Sequence, residues 1–133
     1  MDTPVSDAVA PLGHVYVVDD NTDVSYHLSE LLCMLGYSVE TFASADAFLA
    51  HDASIRPAVL LVDMHMPRKS GSQLQQELQQ LGRKIPVVFI SGGCQASDME
   101  EALRRGAGGF LSKPFSRHAL CALLDRGLQM PQA

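Results

Sequence analysis

The sequence predicts an α/β protein with one five-stranded parallel sheet and helices on both faces, built from five consecutive βα units. Short runs rich in Val and Ile alternate with segments of helical period, which is the pattern of βα repeats. The third run, 58–62, is apolar throughout, as expected of a central strand covered by helices on both sides. A length of 133 residues with 47% hydrophobic residues leaves room for one domain with a substantial core.

The first βα unit carries the clearest local signals. A strand is predicted at 14–18, and Asn21-Thr22 marks the start of a helix. Gly36 supplies the C-terminal stop of that helix, and 37–42 alternates as a second strand. The buried stripe of the helix is Val24, Leu28, Leu31, Leu32 and Leu35.

The next two helices flank the third strand. Ser44 is predicted to cap a short helix that carries Ala47, Phe48 and Leu49. After the third strand comes a loop with Pro67 and Gly71, and then a helix with a glutamine-rich face that we interpret as solvated. The inward residues of this helix are Leu74, Leu78 and Leu81.

The last part of the chain completes the pattern with strands at 85–90 and 108–111. The helix between them, 97–105, has only Met99, Ala102 and Leu103 as anchors, so we expect it to shift easily. The final helix should turn Leu120, Leu123 and Leu124 inward and end at Gly127 and Pro131. We therefore predict a flexible leader at 1–13, a domain at 14–128 and a tail or linker at 129–133.

Composition excludes several classes of function. A formal charge of −5 and a pI near 5.4 argue against direct nucleic-acid binding by this chain. No apolar run approaches a membrane span, and 1–12 lacks the order of a signal peptide, so we expect a cytoplasmic protein. Cys33, Cys94 and Cys121 are interpreted as reduced thiols of no special role.

Polar residues capable of chemistry follow four of the five strands. Asp19 and Asp20 follow the first strand and Asp63 the third, while Ser91 and Lys113 follow the fourth and fifth. Ligands of open α/β sheets bind at the carboxyl ends of the strands, where these residues should meet. Each alone has a plain structural explanation as a cap, a turn or a solvated charge. Three clustered carboxylates repel one another, however, and make sense when a cation lies among them.

The segments around these residues form specific motifs. Together they resemble the receiver domain of two-component response regulators, over about residues 14–128, and this resemblance implies a flavodoxin-like fold. The motifs are Val17-Val18-Asp19-Asp20, Leu61-Val62-Asp63-Met64-His65-Met66-Pro67 with Gly71, Val88-Phe89-Ile90-Ser91-Gly92, Gly106-Ala107, and Phe110-Leu111-Ser112-Lys113-Pro114-Phe115.

The resemblance implies a role for each site residue. Asp63 is expected to accept a phosphoryl group from a sensor histidine kinase, and Asp19, Asp20, Asp63 and the backbone carbonyl of His65 to hold Mg²⁺. Ser91 and Lys113 should contact the phosphoryl group. Ser91 and the aromatic Phe110 are the residues expected to act as the switch.

Two of these positions depart from the commoner family pattern, since Ser91 stands for Thr and Phe110 for Tyr. The His65 side chain is either a cover for the site that alters water access or a solvated loop histidine. The other histidines, His14, His27, His51 and His118, show no metal-ligand spacing and are interpreted as surface or strand-edge residues.

The resemblance also implies a partner state: a phosphorylation-dependent homodimer through the face of the fourth helix, fifth strand and fifth helix. The chain would catalyse only its own phosphorylation and dephosphorylation. Segments 41–45, 48–49 and 113–115 are similar to those of FixJ- and NarL-type regulators, whose receivers precede a helix-turn-helix DNA-binding domain. This similarity favours transcription regulation through a domain outside this chain.

Three alternatives stay open. One is a stand-alone single-domain regulator that acts by protein–protein interaction. Another is a phosphatase or phosphotransferase with an aspartyl-phosphate intermediate, although His65 occupies the position where such enzymes carry a second Asp. The third is a flavin- or nucleotide-binding domain, for which the acidic segment 19–21 has the wrong charge.

Overall fold

The computed structural model describes residues 12–52, 57–92 and 96–129. Strands and helices alternate along them, as predicted. The elements are β1 (His14–Val18), α1 (Thr22–Met34), β2 (Ser38–Phe42), α2 (Ala45–Leu49), β3 (Ala58–Asp63), α3 (Gly71–Gln80), β4 (Val87–Ser91), α4 (Ala96–Arg104), β5 (Gly109–Ser112) and α5 (Arg117–Gln129). Residues 1–11 of the expected leader, Gly93 and Cys94 of the loop after Ser91, and the end of the chain at 130–133 lie outside the described residues.

The five strands form one parallel sheet in the order β2-β1-β3-β4-β5. β3 is central, as its uniformly apolar sequence predicts, and β1 is its direct neighbour. Val18 pairs with Val62, so the chain leaves β1 at the level where β3 reaches Asp63. The register thus brings the acidic residues after the two strands to one edge of the sheet.

The core consists of two layers, one on each face of the sheet. Alternate residues of β3 enter opposite layers because successive side chains of a strand point to opposite faces: Leu60 packs with Phe48 and Phe89 in one layer, and Leu61 packs in the other. α2, α3 and α4 cover the first layer. The second lies under α1 and α5, which contribute Leu28, Leu32, Leu120 and Leu124.

Helix starts and stops follow their local sequence. The Asn21 side chain accepts hydrogen bonds from the backbone N–H groups of Asp23 and Val24 at the start of α1, and Ser44 accepts one from Ala47 at the start of α2. Gly36, just after α1, has φ of +104°, a left-handed conformation that favours glycine. These boundaries were predictable because their causes lie within a few residues.

Four expectations about packing are wrong. Leu81 is 60% exposed because α3 ends at Gln80, and Leu103 is 46% exposed on α4. Gln75, expected on the solvated face, is only 2% exposed. Gly127 does not end α5 but lies inside it, where a Cβ would come within 2.8 Å of Val59 Cγ2. Glycine there lets the last helix approach β3 closely.

Smaller differences occur at the strands. β4 and β5 each begin later and end one residue later than predicted, so Ser91 and Ser112 are strand residues that pair with each other. His14, expected at the surface or a strand edge, is buried in β1, and its ring nitrogens make hydrogen bonds to Ser38 and Glu40.

The N-terminal end of the described domain also bears on the expected boundaries. Gly13, assigned to the leader by sequence, is buried, and its carbonyl accepts a hydrogen bond from the Ser38 N–H. The packed domain therefore starts before His14.

Among the described helices, none combines the length and the apolar character that crossing a membrane requires.

Candidate functional site

Three carboxylates meet at the carboxyl edge of the sheet. One oxygen from each of Asp19, Asp20 and Asp63 lies within 4.8 Å of the others. Asp19 is 1% and Asp63 8% exposed, whereas Asp20 is exposed to solvent. The clustering predicted from the sequence is confirmed, and among the residues that the structure describes this is the group of His, Cys, Asp and Glu whose spacing suits a metal ion.

Asp19 is the most constrained of the three. Its Oδ1 accepts a hydrogen bond of 2.9 Å from the backbone N–H of Asn21, while its buried Oδ2 has no hydrogen-bond partner. Burial raises the pKa of the Asp19 carboxyl. The Asn21 N–H opposes this shift, the charge of Asp63 adds to it, and the charge of the Lys113 ammonium lowers the pKa again. The folded domain thus holds an incompletely compensated negative charge.

The donor set fits a hard divalent cation. Buried oxygens normally accept a hydrogen bond. The Oδ2 of Asp19 has no hydrogen-bond partner and lies beside two further carboxylates, so a cation bound there would balance the negative charge. Mg²⁺ is bound through one or two carboxylates together with water and phosphate oxygens, whereas zinc prefers His and Cys. The residues present therefore fit Mg²⁺.

The link from β3 to α3 fixes Asp63. The Asp63 Oδ1 accepts a hydrogen bond of 3.1 Å from the His65 N–H, and the Met64 carbonyl accepts one from the Gly71 N–H. A Cβ on Gly71 would lie 2.7 Å from the Asp63 carbonyl oxygen. Glycine at the start of α3 therefore lets the helix press against the backbone of the central acid.

The His65 side chain is exposed and borders a cavity of about 140 Å³ whose other walls include Ser70, Asp98 and Ala102. It thus lies on the side of the loop that faces α4. A cover for the site and a solvated histidine both stay predictions for His65.

Ser91 is the last residue of β4, and Lys113 directly follows β5. Ser91 is buried at the end of β4, and its carbonyl accepts a hydrogen bond of 2.8 Å from the Lys113 N–H. The Lys113 side chain passes beside Gly92, where an added Cβ would lie 3.8 Å from its Cδ. Its charge acts on Asp19, so the ammonium belongs to the same electrostatic site.

Phe110 is half-buried on β5. Its ring centroid lies 6.2 Å from that of Phe89, and it packs against the core layer under α2, α3 and α4. The aromatic residue thus lies in the strand that precedes Lys113, on the face of the sheet that α2, α3 and α4 cover.

Two residues support the site in ways that sequence reasoning missed. Asn21 was expected only as a helix start, yet its backbone N–H also binds the Asp19 carboxylate. Gly71 was expected only as part of a loop and a motif, yet its lack of a side chain sets the distance between α3 and Asp63. The signal for the first is Asp19 itself, because an Asp side chain often accepts a hydrogen bond from the backbone N–H two residues later. The second depends on packing.

Comparison with known proteins identifies the class. Residues 15–125 match the family model described as the response regulator receiver domain. Together with the parallel five-stranded fold and the acidic cluster, this match shows that the chain belongs to that family.

Particular relatives are regulators of greater length. The chain is 35% identical over 116 residues to the response regulator protein TodT of Pseudomonas putida, which covers 87% of this chain and 51% of TodT. It is 36% identical over 112 residues to the transcriptional regulatory protein FixJ of Rhizobium meliloti, which covers 84% of this chain and 55% of FixJ. The chain thus spans about half the length of these curated relatives.

Solved structures agree with the fold. The chain superposes on the crystal structure of FixJ-N with a TM-score of 0.83 at 34% identity, which covers 90% of this chain and 96% of that one. The response regulator StyR gives a TM-score of 0.80 at 40% identity over 87% of this chain and 59% of that one. The flavodoxin-like receiver fold expected from the sequence is confirmed.

Proposed function

We propose that this domain is the phosphoacceptor of a two-component response regulator, in which Asp63 takes a phosphoryl group from a sensor histidine kinase with the help of Mg²⁺. The observation that carries the proposal is the cluster of Asp19, Asp20 and Asp63 around the unpartnered Oδ2 of Asp19. The domain would catalyse only its own phosphorylation and dephosphorylation. We expect this exchange in the cytosol, where free thiols such as Cys33 persist.

The residues divide the chemistry among them. Asp19, Asp20, Asp63 and the His65 carbonyl would hold the cation, which when bound neutralises charge between carboxylate and phosphoryl oxygens. The hydrogen bond from the His65 N–H to Asp63 Oδ1 orients the carboxylate for in-line attack on phosphorus. A new bond from an Asp63 oxygen to phosphorus forms as the bond between phosphorus and the histidine nitrogen of the kinase breaks.

The buried hydroxyl of Ser91 and the ammonium of Lys113 are the groups that would contact the new phosphoryl oxygens. A phosphoryl group adds about −1.5 to −2 charge, which should draw both toward Asp63 and open space for Phe110 to turn inward. The surface of α4, β5 and α5 would change with it. We propose that this surface then forms a homodimer.

The output step follows from the relatives. FixJ is a transcriptional regulatory protein by name, and this chain matches about half of it. We propose that the switch controls transcription through a DNA-binding domain outside this chain. The alternative is a stand-alone regulator that acts on a partner protein, and the length of the natural reading frame distinguishes the two.

The decisive experiment is incubation with acetyl phosphate and Mg²⁺, followed by intact-mass measurement. The wild type should gain one phosphoryl group, Asp63→Asn none, and Asp20→Asn much less at the same Mg²⁺ concentration. Asp52→Asn removes an equal charge from an exposed position and serves as the matched control. Equal labelling of the wild type and Asp63→Asn would overturn the proposal.

A further inference from the structure

Two glutamines of α3 bind the end of α4. The Gln75 Nε2 donates a hydrogen bond of 3.4 Å to the Ala102 carbonyl, and the Gln79 Nε2 donates one to the Arg105 carbonyl. The glutamines are four residues apart and so lie on the same face of α3. Both acceptors belong to the last turn of α4 or follow it directly.

This contact matters because α4 has few other anchors. Ala102 is buried, whereas Leu103, one of the anchors expected from the sequence, is exposed. Gly106 turns the chain after α4 with φ of +97°, and a Cβ there would lie 4.0 Å from the Gln79 Nε2. The side-chain amides therefore meet α4 at its C-terminal end, where the chain turns at Gly106.

The contact is also incomplete. Gln75 is 2% exposed, and its Oε1 is buried without a hydrogen-bond partner. The reverse orientation of the amide would direct Oε1 at the Ala102 carbonyl oxygen, so the network determines the orientation. An unpaired buried acceptor destabilises the arrangement that contains it. A cleft of about 320 Å³, bordered by Gln75, Gln79 and Gly106, lies beside the contact.

We propose that Gln75 and Gln79 form an amide latch that holds the C-terminal end of α4 against α3, and that the unpaired Oε1 keeps this latch weak enough to open. The latch is a property of the domain by itself. Its coupling to the site, in contrast, rests on the proposed function: opening of the latch would accompany phosphorylation of Asp63.

The first test needs no phosphorylation. The amides of Arg105, Gly106 and Ala107 make helix-end hydrogen bonds, and their hydrogen exchange reports local opening. Gln79→Ala should speed their exchange by about two- to tenfold, the range for one lost hydrogen bond. Gln76→Ala, which removes an exposed glutamine of the same helix beside Lys69, should leave it unchanged. Equal exchange rates in the two variants would overturn the latch.

A second variant tests the unpaired oxygen. Gln75→Leu keeps the volume but removes the buried amide, and the Ala102 carbonyl retains its bond from the Ala107 N–H. The variant should therefore unfold at the same temperature as the wild type or higher, while exchange at the three amides rises. A lower unfolding temperature would show that the Gln75 amide is fully satisfied and would contradict this part of the proposal.

The coupling is measured with beryllium trifluoride and Mg²⁺ as the phosphoryl mimic. If the mimic opens the latch, Gln79→Ala should bind it more tightly than Gln76→Ala, by the same factor by which exchange was accelerated. Equal affinity of the two variants would disprove the coupling. A wild type that fails to bind the mimic would instead count against the proposed function, while the exchange results would still decide the latch.

Discussion

The cluster of three acids should destabilise the domain when no metal is bound, and Asp19→Asn tests this directly. Two unit charges no more than 4.8 Å apart repel each other by at least about 1 kcal/mol in water and about 3.5 kcal/mol at an effective dielectric constant of about 20. Asp19 faces two such neighbours, with Lys113 as a partial counterweight. The substitution retains an oxygen for the Asn21 N–H, so we expect a net stabilisation of about 1–3 kcal/mol.

The assay is thermal unfolding followed by circular dichroism in EDTA at neutral pH. For a domain of this size the expected gain corresponds to a rise in Tm of roughly 3–10 °C. Mg²⁺ should remove most or all of this difference, because ligand at about 100 times its Kd stabilises the wild type by about 2.7 kcal/mol, whereas Asp19→Asn has lost a ligand. Asp52→Asn, in which an exposed acid is neutralised, provides the charge control.

The pH dependence has a definite sign. The pKa of Asp19 is raised in the folded state. The stabilisation of the fold that this shift provides is therefore complete below the ordinary Asp pKa, and it is lost as the pH rises through the raised value. The advantage of Asp19→Asn over the wild type should therefore be largest at neutral pH and shrink on acidification through that interval. An Asp19→Asn variant that melts at or below the wild-type temperature in EDTA would refute the reasoning.

Three further changes test the supports of the fold. Gly71→Ala places a Cβ 2.7 Å from the Asp63 carbonyl oxygen, so it should lower the free energy of unfolding by about 1–3 kcal/mol and slow labelling by acetyl phosphate. An unchanged Tm would show that α3 can move away from Asp63 without loss of stability. Tyr37→Phe removes the 2.7 Å hydrogen bond to Asp125 and should lower stability by about 1 kcal/mol in urea unfolding, and an unchanged midpoint would contradict this. Lys69→Met breaks partly exposed ion pairs with Asp46 and Glu77, so it should lower the free energy of unfolding by less than about 1 kcal/mol. This loss should vanish in about 1 M NaCl. A loss that persists at high salt would show that packing, not charge, is responsible.

Local sequence determined most of the secondary structure. Asn21 and Ser44 as caps and Gly36 as a stop act within one helical turn, so their effects do not depend on the rest of the fold. The apolar run of β3 likewise predicted its central position. In a parallel sheet the carboxyl ends of the strands share one edge, and the meeting of Asp19 with Asp63 follows from that geometry.

Other properties depend on contacts between elements distant in sequence. The helical period assigned Leu81 to the core, but α3 ends one residue earlier, at Gln80. The same period placed Gln75 in solvent, whereas α4 covers it. The sequence predicts that Gly127 ends α5, whereas in the structure Gly127 lies inside the helix and packs against β3. Periodicity describes one helix at a time and carries no information on which neighbour covers a given side chain.

The acidic site shows the same division. In the sequence alone, the motifs around Asp19, Asp63 and Lys113 already resemble those of a receiver domain, and the alternation of strands and helices predicts that the carboxylates gather at one edge of a parallel sheet. Only the tertiary structure decided that Asp19 is buried with an unpartnered oxygen while the adjacent Asp20 is exposed. Burial depends on the packing of α1 and β2 around each side chain, and two neighbouring residues of identical chemistry acquire different electrostatics from it.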